Sequence, residues 1–195
     1  MSAVRVPTQR AVDHLLPKAD YPAFVVYSRN LVPACKCNGK KSTKLLGAGA
    51  GERILHPYFD DCLLDRILAA RFEDHGPTPR ISLNVLADGD HPMKPTILFH
   101  VAHVVEKTGI KRYLLKCWTR LCRQPLVAVS RLDPIPTTPA QLETILMAEL
   151  ARTDAYRESK NNWDSVFLAG SWRPPHWLGC SIASTSRGAR PRTMA

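Results

Sequence analysis

The stretch TTPAQLETILMAELARTDAYRE, residues 137–158, has little choice but to form a helix. Thr138 is a capping residue, and Pro139 suits the first helical position, where an N–H has no partner inside the helix anyway. Gln141 stands three residues after the cap, placed to bond back to it. A helix fixed this firmly must lie on apolar surface. With 45% hydrophobic residues in a chain of 195, a core large enough for one domain is available. Sixteen prolines against ten glycines point to irregular, loop-rich surroundings for that core.

The other elements are read from periodicity. Pro57 and the apolar residues Phe59, Leu63, Ile67 and Ala70 at helical spacing predict a helix over 58–72, closed by Gly76 and Pro77. RISLNVLA (80–87) alternates as a strand does, and the DGDHP turn follows it. TILFHVAHVVEKTG reads as a helix ending at Gly109. AFVVYS (23–28), PLVAVSRLDP (125–134) and SVFLAGSW (165–172) have strand composition. The glycines of GAGAGE (47–52) argue for loop. The fold class expected is α+β: a single compact mixed domain over 21–180 with irregular basic loops. A mobile arm (1–20) and a disordered, flexible basic C-terminal tail (181–195) complete it.

Charge is the most informative feature for function. The net charge of +10 is segregated: Tyr21–Gly51 and Lys107–Leu132 hold five and seven bases respectively and no acid, and four arginines follow Asp164, again with no acid. The rest of the chain is acidic. Such segregation creates a potential that attracts polyanions, which scattered lysines would not. In KTGIKRYLLKCWTRLCRQP, helical spacing puts Ile110, Leu114, Trp118 and Leu121 on an apolar stripe. Arg112, Lys116, Arg120 and Arg123 fall on another face. Trp118 is expected in the core. Lys36, Lys40, Lys41 and Lys44 of PACKCNGKKSTK form the second basic element.

Phosphate-gripping and metal motifs are sparse. NGKKST lacks the earlier glycine of a P-loop, and GAGAG has no preceding strand for a dinucleotide fingerprint. Cys35, Cys37, His56 and Cys62 offer ligand types that zinc accepts, although Cys-x-Cys is tighter than the usual Cys-x2-Cys knuckle. His100 and His103, one turn apart, and Asp88-x-Asp90 are read as ordinary histidines and a turn. The pair Cys117-Trp118 with His176-Trp177 resembles viral papain-like leader proteases. The resemblance implies a Cys117/His176 thiol peptidase, but it extends over four residues and no orienting Asn or Asp is identifiable.

The sequence therefore predicts a non-enzymatic nucleic-acid-binding protein of low sequence specificity. It would take RNA in preference to a specific duplex site, through Lys36, Lys40, Lys41, Lys44, Arg112, Lys116, Arg120 and Arg123. No helix-turn-helix spacing or RNP-like strand supplies base readout. The rival is a protein-interaction adaptor presenting apolar helices 58–72 and 139–151 to a partner, with zinc as a possible stabiliser. No signal peptide or apolar run of spanning length is visible, so an intracellular, cytoplasmic or nuclear protein that is not secreted is expected.

Overall fold

The computed structural model describes residues 11–34, 44–73, 78–133, 136 and 138–171. Residues 1–10 of the expected arm 1–20, residues 35–43 with Cys35, Cys37, Lys36, Lys40 and Lys41, and the expected tail 181–195 lie outside the described residues, whereas residues 11–14 of that arm form a strand. Two antiparallel hairpins and five helices make up the described chain. Strands β1 (Ala11–His14) and β2 (Leu31–Ala34) pair with His14 opposite Leu31. Strands β3 (Leu68–Glu73) and β4 (Arg80–Val85) pair with Leu68 opposite Val85. The helices are α1 (Lys94–His103), α2 (Ile110–Arg123), α3 (Pro125–Ala128), α4 (Pro139–Arg157) and α5 (Trp163–Ser171). Together they form a single compact mixed α+β domain.

The core is organised around β3 and α2. Ile67, Leu68, Ala69 and Ala70 are buried in succession, so β3 is covered on both of its faces. Phe72 stacks on Trp118 of α2 with ring centroids 4.7 Å apart and meets Phe167 of α5 edge-on at 5.7 Å. Helix α5 lies directly against β3, because Gly170 leaves room that a methyl group would fill: an added Cβ would stand 1.9 Å from the carbonyl oxygen of Ala70. The turn entering α5 is held by side-chain amides. Asn161, fully buried, donates to the carbonyls of Leu63 (3.0 Å) and Asp65 (2.6 Å) and accepts from the amide of Ile67 (2.9 Å). Asn162 accepts from the amide of Ser165 at 2.9 Å and so caps the helix.

Several expectations hold in detail. Helix α4 starts with the anticipated capping box: Thr138 Oγ1 accepts from the Gln141 amide, and the Gln141 side chain accepts from the Thr138 amide. Helix α2 and strand β4 lie where periodicity put them, and TILFHVAH is helical as expected, but α1 ends at His103, with a 3-10 turn at Val105–Lys107, instead of running to Gly109. The stripe Ile110, Leu114, Trp118 and Leu121 is buried, with Trp118 only 1% exposed.

Four segments differ. Residues 58–72 do not form a helix: a short 3-10 turn at Asp61–Leu64 is followed by β3. Leu63, Ile67 and Ala70 are buried as expected, but Leu68 and Ala69 between them are buried too, which a one-sided helix would not allow and a strand covered on both faces does. The adaptor reading therefore loses the first of its two helices. AFVVYS, expected as a strand, instead contributes to 3-10 turns at Pro22–Phe24 and Ser28–Asn30, with Val26 88% exposed. Pro125 starts the short helix α3 where a strand was expected, and SVFLAGS, also expected as a strand, lies within α5.

Candidate functional site

Two surfaces combine polar chemistry with a defined backbone. The first is the outer face of α2. Burial of Ile110, Leu114, Trp118 and Leu121 fixes the helix's rotation about its axis, which turns Arg112, Lys116, Arg120 and Arg123 outward, where all four are exposed. Lys111 pairs with Glu106 at 3.0 Å, but none of the four row cations forms an ion pair with an acid among the described residues. Lys44, the described member of the lysine-rich segment, is exposed, and its Nζ lies 5.8 Å from the centre of the Phe99 ring on α1. Tyr113 and Trp118, the aromatic residues of α2, are both engaged within the protein. Trp118 is stacked within the core, and the Tyr113 hydroxyl donates to Asp164.

The second surface is the β1–β2 hairpin and the turn on which it rests. The long connection between the strands is closed from inside by Asn30, which is 3% exposed. Its Oδ1 accepts from the Leu16 amide at 2.7 Å, and its Nδ2 donates to the Phe24 carbonyl at 2.9 Å. These bonds hold both ends of the 16–30 connection and so fix the end of β1. There His14 places Nε2 3.0 Å from the Val25 carbonyl oxygen. A carbonyl only accepts, so Nε2 carries the proton of that bond, and in the neutral ring Nδ1 is the basic nitrogen.

The hairpin docks on residues 53–60. The Tyr58 hydroxyl donates to the Leu31 carbonyl at 3.1 Å, and the Arg29 guanidinium lies 5.0 Å from the centre of the Phe59 ring. Arg53 grips Asp60 with two parallel bonds of 2.7 and 2.6 Å, and Asp60 also accepts from the His56 amide at 2.6 Å. Burial pushes the Asp60 carboxyl upward, but these donors outweigh it and hold its pKa below the ordinary carboxylate value. The His56 ring accepts from the Tyr58 amide through Nδ1 at 3.2 Å and also bonds to the Arg29 backbone. Burial, its largest influence, lowers its pKa.

The remaining sequence candidates fall as follows. Of the zinc set, His56 and Cys62 share the 53–62 region, whereas Cys35 and Cys37 are outside the described residues. Burial, and then the charge of Asp60, keeps the proton on Cys62, which packs against the core. Among the described residues no group of three or more His, Cys, Asp or Glu side chains is arranged to hold a metal ion. Cys117 is half-buried, and desolvation raises its pKa, the opposite of what an activated thiolate needs. His176 lies outside the described residues. His100 accepts from the Leu55 amide at 3.1 Å, and His103 packs on the Phe99 ring. Asp88 and Asp90 sit in the turn before α1, where the Asp88 carbonyl accepts from the His91 amide. No helix among the described residues is long and apolar enough to cross a membrane.

His14 and Asn30 were not among the sequence candidates. Their signal is faint: an Asp-His pair between apolar residues, and an Asn following an Arg, separated by a proline-bearing stretch with no alternation. What marks them is the inward turn of Asn30, which only the fold reveals.

Two proteins share short stretches with this chain. It is 64% identical to Septu protein PtuB of Bacillus thuringiensis over 33 residues, 16% of this chain and 13% of that protein. It is 40% identical to protein ea31 of Escherichia phage lambda over 50 residues, 25% of this chain and 17% of that protein. The matched stretches are thus a small fraction of either relative's length. No family model and no solved structure matches.

Proposed function

We propose that this chain binds nucleic acid with low sequence specificity, single-stranded RNA in preference to a defined duplex site. The observation that carries this reading is the α2 row: four exposed cations about one helical turn apart, facing away from the core and unpaired with acids among the described residues. The spacing suits successive phosphates, and the lysine-rich segment Lys36, Lys40, Lys41 and Lys44 would add charge to the same task. Zinc on Cys35, Cys37, His56 and Cys62 would order that loop and leave the capture electrostatic. The adaptor alternative rests on α4, where Met147 and Tyr156 are exposed. A titration with labelled single- and double-stranded RNA and DNA across a salt series tests the reading. Each neutralised phosphate contributes about −0.7 to −0.9 to the slope of log affinity against log salt. A flat response overturns it.

A second reading is favoured by His14. A histidine whose Nε2–H is anchored to a carbonyl and whose Nδ1 is the basic nitrogen has the arrangement of a general base. In a protein that binds a polyanion, the reaction such a base would serve is hydrolysis of a phosphodiester. Nδ1 takes a proton from water, the water oxygen bonds to phosphorus, and one ester oxygen leaves and is protonated. The dense but short likeness to the two relatives suits a function carried by one compact unit. Incubating labelled RNA and DNA with the protein, with and without added divalent cations, tests this. Intact substrate under every condition removes it and leaves the binding reading standing.

A further inference from the structure

Helices α2, α4 and α5, with Ala128 and Val129, line an open cavity of about 280 Å³ that neither reading above uses. Its apolar wall is Ala128, Val129, Phe167 and Leu168. Its polar wall holds two carboxylates and three guanidiniums. Asp164 accepts from the Tyr113 hydroxyl at one oxygen and from Arg157 at the other, at 2.8 Å. Glu149 accepts from Arg152 at both oxygens, at 3.0 and 2.5 Å. An ionised carboxylate has about four acceptor positions, so each retains capacity for a further N–H donor. Arg120 is the cavity's remaining guanidinium, with no carboxylate partner among the described residues, and it belongs at the same time to the cation row of α2.

A ligand matching these walls has apolar faces, an edge bearing N–H groups for the carboxylates, and one negative charge for Arg120. The volume falls just below the roughly 300–1,000 Å³ of small-molecule sites, so it admits one ring system and not several. We propose that the cavity receives a single unstacked nucleobase carrying an exocyclic amino group, while its phosphate stays on the α2 row at Arg120. The proposal rests on the nucleic-acid reading and deepens it. It also gives a reason for preferring single strands, since drawing a base out of a duplex costs a few kcal/mol and out of a single strand less.

The test compares a fully abasic phosphodiester strand with the same strand carrying one cytidine. The cytidine is expected to tighten binding about tenfold to a hundredfold, in line with the ~1–3 kcal/mol of base stacking or hydrogen-bonded readout. Uridine, without the amino group, is expected to give a smaller gain. Ala128→Trp, which fills the cavity, should bring the cytidine-to-abasic ratio to one while leaving abasic binding unchanged. Should that variant fail to fold, attaching a bulky thiol reagent to Cys117 in the folded protein fills the same space, with Cys117→Ser treated with the same reagent as the control for labelling of the other cysteines. Equal affinity of the wild type for both strands, or a cytidine gain that survives filling, overturns the cavity proposal and leaves the nucleic-acid reading intact. An equal gain from uridine overturns the amino-group specificity. If neither strand binds at low salt, it is the nucleic-acid reading itself that fails.

Discussion

His14 donates its Nε2–H to the carbonyl of Val25 across 3.0 Å, a bond that sets the ring's tautomer at the end of β1. The carbonyl is in place because Asn30 ties the connection to Leu16 and Phe24. Removing the imidazole, as in His14→Ala, takes away no buried apolar anchor, so nucleic-acid affinity should stay within a factor of about three. Any phosphodiester cleavage should fall by about 10²-fold or more, the usual contribution of a positioned base. Undiminished cleavage by the variant would assign the chemistry elsewhere.

Asn30→Ala acts on the same hairpin through structure. It leaves the part-buried Leu16 amide without its partner, at a cost of about 1 kcal/mol or more by the usual penalty for an orphaned group. Hydrogen exchange should show residues 11–34 opening before the β3–α2 core. Exchange that remains uniform would mean the hairpin is held by its docking on Tyr58 and Phe59 instead.

Asn161 provides a comparison within the core. Its amide serves three backbone groups, those of Leu63, Asp65 and Ile67. Asn161→Ala should therefore destabilise the whole domain, by more than about 2 kcal/mol in urea unfolding, because several buried groups are orphaned at once. A loss under about 0.5 kcal/mol, typical of a surface site, would contradict the burial described here.

His100 predicts a pH dependence. Burial pulls its pKa from 6.5 down to about 4, and Nδ1 accepts from the Leu55 amide, a bond that only the ring with unprotonated Nδ1 can make. Between those two values the unfolded chain binds a proton that the folded one does not. Stability contributed by neutral His100 is thus fully present above pH 6.5 and lost as pH falls toward about 4. His100→Gln, which keeps an acceptor without titrating, should flatten the unfolding midpoint over that window. An unchanged profile would place the acid sensitivity on other groups, Asp60 among them, whose depressed pKa makes its own contribution disappear at still lower pH.

Local signals were readable where one residue type has one physical use. Thr138, Pro139 and Gln141 announced a helix start because capping is a short-range bond. The α2 stripe announced its own buried face because a four-position apolar stripe beside a cation row fits one rotation of the helix. Leu63, Ile67 and Ala70 misled because helical spacing and a strand covered on both faces select the same residues when Leu68 and Ala69 lie between them. SVFLAGSW misled because continuous apolar composition does not distinguish a buried helix from a strand, and the close contact of Gly170 with Ala70 is visible only in three dimensions. Asn30 and His14 went unread for a related reason. Their importance lies in backbone groups they reach across the hairpin, and no spacing rule encodes that.

The central claim is that the cation row on α2 grips phosphates, and a salt-dependence measurement on one variant tests it most directly. Arg112→Gln, Lys116→Gln, Arg120→Gln and Arg123→Gln combined keep the side-chain stems that cover apolar surface and remove the charges. The fold should be retained, as judged by an unchanged unfolding transition. In fluorescence titrations with single-stranded RNA, the slope of log affinity against log salt should shrink by about two to three units relative to the wild type, with little change in which sequences are preferred. A folded variant with the wild-type slope and affinity would contradict the account.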